Sequence, residues 1–458
     1  MPESPRVAIL NVVGLTSRFF GPDMPEITAF QQRSQWAHVE PMLPAVTSSV
    51  QATYLTGKTP GDHGIVANGW YDRARAEHLF WKQSDRFVAG PKLWEILKDA
   101  NPDFTCARLF WWNNMYSTVD YSITPRPIYC ADGKKVFDIT SRPLDIRDAI
   151  KADLGDFPFP QFWGPGSGIG SSQWIADSAK WIEEKYAPNL NLVYLPHLDY
   201  NLQKWGPNDP RIAEDLRAID EVVGRLIRFF EKRGVKPVLL SEYGITEVDR
   251  PVHLNRVFRE HGWLEIKEEL GSDVLELGDC RALAIADHQI AHIYLNDPSL
   301  REDVKAVLAQ TEGVERVLDR AELAEAGLDH PRSGDLVAIA DSRSWFTYYY
   351  WLDDDKAPDF ARTVDIHRKQ GYDPVELFID PKIVLPKVKI ISKLIRKKLG
   401  QRILMDLIPL DSTLVKGSHG RLPEDQADWP VLIGPFAALK DSDQVGACDV
   451  FEHLRQLL

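Results

Sequence analysis

Three short apolar runs are each followed at once by polar chemistry: Val7 to Leu10 leads into Asn11, Leu192 to Leu195 into His197 and Asp199, and Val238 to Leu240 into Ser241, Glu242 and Tyr243. Runs this brief and this rich in Val, Leu and Ile suit strands buried on both faces, as in parallel sheets. Helical periodicities lie between them, at Leu93 to Lys98, Ile175 to Tyr186 and Ile212 to Lys232. The last carries a continuous apolar stripe through Leu216, Ile219, Val223, Leu226, Ile227 and Phe230. Strand and helix in alternation predict a layered α/β fold with a mostly parallel central sheet. Because such sheets gather functional side chains at the carboxyl ends of their strands, the polar residues closing each run are the first candidates for a site.

A second feature joins them. The segment P-A-V-T-S-S-V-Q-A-T-Y-L-T-G-K-T-P-G-D-H-G-I-V-A-N-G-W-Y-D, from Pro44 to Asp72, opens a helix on Thr47, Ser48 and Ser49 and runs it to about Leu55. Gly57, Pro60 and Gly64 then stop the helix, leaving His63 and Asn68 in the following loop. Two readings of Thr47 stand side by side. Its hydroxyl caps the helix, or it is a nucleophile held beside free backbone N–H groups that attract a phosphate.

Composition narrows the partners. With 458 residues the chain holds two or three domains, or one large α/β core with insertions. A hydrophobic share of 44% marks a folded protein, and a net charge of −13 opposes broad binding to nucleic acid. Cys106, Cys130, Cys280 and Cys448 are too scattered for a zinc knot, and no disulfide is expected. The first apolar run reads as a strand rather than a signal sequence, and no run approaches the ~18 residues that cross a bilayer. A cytoplasmic location is expected. No glycine-rich nucleotide loop and no G-x-S-x-G elbow occurs.

The expected organisation is a core formed by residues 1–245 and 403–458, with an aromatic-rich insertion at about 105–170 and a cap subdomain over 246–402. The aromatic stretch from Phe110 to Asp132 either faces substrate or packs beneath the cap. Within the cap, strands are expected near Ala282 to Ala286, Ala291 to Leu295 and Leu336 to Ala340. The cap ends in a basic helix: residues 382–402 hold eight Lys or Arg and no acid. That segment either contacts an anionic membrane or acidic partner, or packs through Ile390, Ile391, Leu394 and Ile395.

The register of Thr47, Thr56, Gly57, Pro60, His63, Gly64, Ile65, Val66, Asn68, Tyr71 and Asp72 resembles the nucleophile segment of the type I phosphodiesterase/nucleotide pyrophosphatase family, in the alkaline phosphatase superfamily. Further similarities follow in order: Y-L-P-H-L-D-Y-N-L-Q-K-W-G-P from Tyr194, S-E-Y-G-I from Ser241 and G-S-H-G from Gly417. The resemblance implies an alkaline-phosphatase-like layered fold with a cap. It also implies a metal-dependent phosphoric ester hydrolase in which Thr47 attacks phosphorus on a small organic phosphate and forms a phosphothreonyl intermediate.

The same resemblance implies a pair of divalent cations, one on Asp199, Gln203 and His419, the other on Asn11, Thr47, Glu242 and Tyr243. Asn11 stands where the family has Asp, Gln203 where it has His, Glu242 where it has Asp, and Tyr243 where it has His. Zn²⁺ is the family's expectation, whereas oxygen donors suit Mg²⁺ or Mn²⁺ better, on one site or two. His288 and His292, four apart in A-D-H-Q-I-A-H, are additional candidate ligands, and Asn68 a candidate substrate contact. Two alternatives follow from the altered residues: a degenerate relative serving as a binding or scaffold protein, and a phosphonate or sulfate ester hydrolase. Oligomeric state has no sequence signature here.

Overall fold

The computed structural model describes residues 5–437, 439 and 443–458. The strands of its two larger sheets, in chain order, are β1 (Val7–Val12), β2 (Gln35–Glu40), β3 (Cys106–Leu109), β4 (Tyr121–Pro125), β5 (Ile139–Arg142), β6 (Leu190–Leu195), β7 (Lys236–Leu240), β8 (Ala282–Asp287), β9 (Ile290–Leu295), β10 (Val314–Leu318), β11 (Leu336–Ala340), β12 (Val431–Gly434) and β13 (Asp443–Gly446). A nine-stranded sheet has the order β13-β2-β12-β7-β1-β6-β3-β4-β5. From β7 to β4 all neighbours are parallel, while β12 runs antiparallel between β2 and β7, and β5 antiparallel beside β4.

Every residue of β1 and β6 is buried, as expected for central strands covered on both faces. The helices that matter to the site are α1 (Thr47–Thr56), α2 (Ile169–Tyr186), α3 (His197–Trp205), α4 (Ile212–Lys232) and α5 (Pro386–Lys398). α4 turns its stripe of Leu216, Ile219, Val223, Leu226, Ile227 and Phe230 into the core, as its periodicity predicts.

Two expectations about organisation need correction. Residues 106–142 are not wholly an insertion, because β3, β4 and β5 complete one edge of the central sheet. These strands are only four or five residues long and are separated by turn formers, which hides their period. The four-stranded sheet β8-β9-β11-β10 does form inside 246–402, but its hydrophobic core also takes in Ile65, Val66, Trp70, Tyr71, Leu79 and Phe80. Its packing therefore includes the stretch after α1.

Two glycines hold the site loops close to neighbouring backbone. A Cβ at Gly244 would lie 1.9 Å from the Asp428 carbonyl oxygen, and one at Gly417 2.0 Å from that of Leu202. Only glycine admits that approach, next to Tyr243 in one case and two residues before His419 in the other. The cysteines are free, and among the described residues no helix is long and apolar enough to cross a membrane.

Candidate active site

Thr47 is the first residue of α1, and Val46 occupies the cap position, so the capping reading of Thr47 fails. All ten residues of α1 are buried although most are polar or small. Each buried polar group then needs a partner. Asn68 Oδ1 accepts from the Ser48 N–H at 2.9 Å, Thr53 Oγ1 and His63 Nε2 lie 2.9 Å apart, and Tyr54 Oη donates to the Ser241 carbonyl at 2.9 Å. Gln51 spans two elements, accepting from the Trp112 N–H at 2.8 Å and donating to Glu242 Oε1 at 2.6 Å.

The strand ends converge on this helix start. Asn11 at the end of β1 donates to Glu242 Oε1. Thr47 Oγ1 and Tyr243 Oη share a hydrogen bond of 3.0 Å, and Tyr243 Oη donates to Asp199 Oδ1 at 3.2 Å. On α3, one turn beyond Asp199, Gln203 Nε2 donates to Asp199 Oδ2 at 2.8 Å, while Gln203 Oε1 accepts from Tyr372 Oη at 2.9 Å. Thr47, Tyr243, Asp199, Gln203 and Tyr372 thus form an unbroken hydrogen-bonded line.

A column of rings runs alongside it. Tyr243 stacks on His419 at 3.6 Å, His419 lies 3.7 Å from His288, and His288 lies 3.7 Å from Tyr372. His419 Nδ1 donates to the Ala45 carbonyl at 2.7 Å, which leaves Nε2 as the lone-pair nitrogen, with Asp199 Oδ1 3.9 Å away. His288 sits in the two-residue turn between β8 and β9, and its Nδ1 is 2.8 Å from Asp287 Oδ1. Asn68 binds the same carboxylate through its backbone N–H and its side chain. His292, by contrast, is spent on structure: it donates to the Val66 carbonyl and accepts from the Gly334 N–H. The four-residue spacing fails because the turn at His288 sends the two rings to different partners.

Burial dominates the electrostatics. It raises Asp199 to about 7, against hydrogen bonds from Tyr243 and Gln203 that lower it. It raises Glu242 to about 8, against donors Gln51, Asn11 and Thr47. His419 and His288 are pushed well below the ordinary imidazole value by the same desolvation. The Tyr243 phenol is pushed up and stays protonated.

The family model for type I phosphodiesterase / nucleotide pyrophosphatase matches residues 7–373. The chain belongs to that family. Its enzymes hydrolyse phosphoester bonds and typically depend on divalent metal ions. An uncharacterized pyrophosphatase/phosphodiesterase of Schizosaccharomyces pombe is 23% identical over 232 residues, 48% of this chain, and the chain spans 40% of that relative's length. Among solved structures, phosphonoacetate hydrolase from Sinorhizobium meliloti in complex with phosphonoacetate superposes with a TM-score of 0.63 at 15% identity, over 99% of this chain and 96% of that one. Murine ectonucleotide pyrophosphatase/phosphodiesterase 5, an inactive threonine-to-alanine variant in complex with AMP, gives 0.59 at 14% identity, over 99% and 94%. These likenesses establish the shared fold.

A pair of cations, as the family expectation has it, does not fit the donors present. The Gln203 amide is used at both ends, and the Tyr243 phenol fills the interval between Thr47 and Asp199. Amide N–H groups of Asn11 and Gln51 both donate to Glu242 Oε1, so that oxygen is taken up by donors rather than left open to a cation. Among the described residues, no group of three or more His, Cys, Asp or Glu is placed to hold a metal ion.

Sequence reasoning missed Tyr372 and the full part of Gln51. Tyr372 follows Lys369, whose buried ammonium binds Asp373 and Glu376 at 2.7 Å each, and its backbone N–H donates to the Ala286 carbonyl. No motif marks it. For Gln51 the one signal is an amide on the helix that carries Thr47.

Proposed function

We propose that this chain hydrolyses phosphoric esters of small organic phosphates, with Thr47 as the nucleophile and side chains in the places the family gives to metals. The observation that carries this reading is the hydrogen-bonded line from Thr47 through Tyr243 to Asp199. Thr47 Oγ attacks phosphorus as its proton passes to Tyr243 Oη, while the Tyr243 proton moves to Asp199. A base that titrates near 7 is matched to work at neutral pH. Gln203 and Tyr372 hold Asp199 in position. Glu242, raised to about 8, stays a neutral acid and donates from its unpartnered Oε2 to a nonbridging phosphoryl oxygen. The ester P–O bond breaks as the Thr47 O–P bond forms, and the proton held by Asp199 goes to the leaving alkoxide. Water then attacks phosphorus as its proton passes to Asp199, the Thr47 O–P bond breaks, and that proton returns through Tyr243 to Thr47 Oγ.

Aromatic residues frame the organic end of the substrate. Trp81 and Trp163, both partly exposed, lie 6.1 and 5.6 Å from Tyr372, and Trp81 packs on Trp112 at 4.6 Å. A planar organic group suits that wall. The deciding experiment is an acid-quenched reaction with a panel of aryl phosphate monoesters, diesters and phosphonates. A phosphoryl group on the Thr47 peptide by mass spectrometry, absent in Thr47→Ala along with turnover, supports the reading. Turnover that survives Thr47→Ala sinks it.

A second reading is favoured by one observation: Thr47 is only 3% exposed and the polar line around it is closed on itself. A binding protein that has lost turnover would retain the esters at Kd values unaffected by Thr47→Ala, with no phosphothreonine at any time.

A further inference from the structure

The basic helix α5 is built inside out. Lys389 and Lys393 face the chain segment that follows the helix, where they bind Asp406 and the carbonyls of Asp406 and Leu404. The apolar side chains point the other way. Val388 is 58% exposed, Ile391 56%, Ile395 55% and Leu399 73%, and no residue of the helix is buried. At 3.6 residues per turn these side chains fall within an arc of about 80°. Of Ile390, Ile391, Leu394 and Ile395, through which the sequence allows packing, only Ile390 is partly covered.

The charge around this stripe has one sign. Residues 382–402 contain eight Lys or Arg and no acid, in a chain of net charge −13. Among the described residues only Lys389 and Lys393 of that set pair with a carboxylate. Lys387 and Lys398 flank the stripe on one side and Arg396 on the other. Val384 and Leu385, 89% and 63% exposed, extend the apolar surface before the first turn.

We propose that α5 docks this protein on an anionic lipid surface. An apolar stripe between basic edges matches a bilayer interface, where the stripe enters the acyl boundary and the ammonium and guanidinium groups meet phosphate headgroups. Lys389 and Lys393 tie the helix to the segment at Leu404 and Asp406, on the side away from the stripe. The basic rim selects acidic lipid over neutral lipid and over the protein's own acidic surface.

The test is co-sedimentation of the full chain with phosphatidylcholine vesicles containing about 30% phosphatidylserine. Binding is expected there, weakening about tenfold or more on pure phosphatidylcholine or in high salt. Ile391→Ser/Ile395→Ser should lose binding, and Lys387→Glu/Lys397→Glu/Lys398→Glu should lose it too. Both variants should keep the wild-type thermal melt, because every substituted side chain is exposed. Absence of wild-type binding, or equal binding by either variant, overturns the proposal. So does a wild-type dimer in sedimentation equilibrium that Ile391→Ser/Ile395→Ser dissolves, which would make the stripe an interface between two copies.

Discussion

The Tyr243 ring lies face to face on the His419 imidazole, with centroids 3.6 Å apart and planes 7° from parallel. Its hydroxyl reaches past that stack to bond both Thr47 and Asp199. One side chain thus links the nucleophile candidate on α1, the carboxylate on α3 and the histidine loop after Gly417.

Tyr243→Phe separates the ring from the hydroxyl. The stack on His419 remains and the link from Thr47 to Asp199 is lost. We expect kcat to fall by about 10² to 10⁴ with KM nearly unchanged, the size of effect associated with a lost proton-transfer group. Steady-state kinetics on an aryl phosphate ester checks it, and an unchanged kcat would remove Tyr243 from the relay.

Metal content tests the proposed replacement of cations by side chains. Purified protein should contain no stoichiometric zinc, manganese or magnesium by plasma mass spectrometry, and dialysis against EDTA should leave its activity intact. Restoring the family residues with Asn11→Asp/Gln203→His/Glu242→Asp/Tyr243→His should create zinc binding, because it returns an imidazole to the position of Asp199 and His419 and a carboxylate and an imidazole to that of Thr47. Stoichiometric metal in the wild type would refute the replacement of cations by side chains.

The two raised carboxyls set opposite limbs of a pH profile. Activity should rise as Asp199 loses its proton through about 7 and fall as Glu242 loses its own through about 8, giving a narrow maximum between them. The stability sign is also determined. Asp199 titrates higher folded than unfolded, so its burial costs nothing below pH 4 and progressively more up to about 7. Between pH 5 and 8, wild type should therefore lose about 2–3 kcal/mol relative to Asp199→Asn. Urea midpoints at both pH values measure this, and a constant difference would contradict the raised value.

Lys369 supports the site from behind. Its 2.7 Å contacts to Asp373 and Glu376 are fully buried, and Trp163 also donates to Glu376. Lys369→Met leaves both carboxyls without their cation and should cost about 3–5 kcal/mol. Because the same segment carries Tyr372, the surviving folded protein should also show reduced kcat. A urea midpoint equal to wild type would show that the cluster is dispensable.

Much of this site is written locally. Asn11, Asp199, Glu242 and Tyr243 stand at or just after strands whose apolar runs are short and unambiguous, and Thr47 opens a helix bounded by Gly57. Tyr372 is invisible beforehand because its place depends on a buried ion cluster and a backbone bond to Ala286, made across 86 residues of chain. The edge strands β3 to β5 are equally hard to read, since strands of four or five residues show too little period to stand out from loop.

By itself the sequence determined the alternating α/β order, the family and the residue types that meet at the site, because apolar period and motif spacing are properties of short stretches. Only the tertiary structure decided what those residues do to one another. It spent the Gln203 amide on Asp199 and Tyr372, gave His292 to Val66 and Gly334 while stacking His288 on His419, and turned Ile391 and Ile395 outward. Each of those outcomes rests on partners far away in sequence, and burial, the force that lifts Asp199 and Glu242, exists only once those partners have assembled.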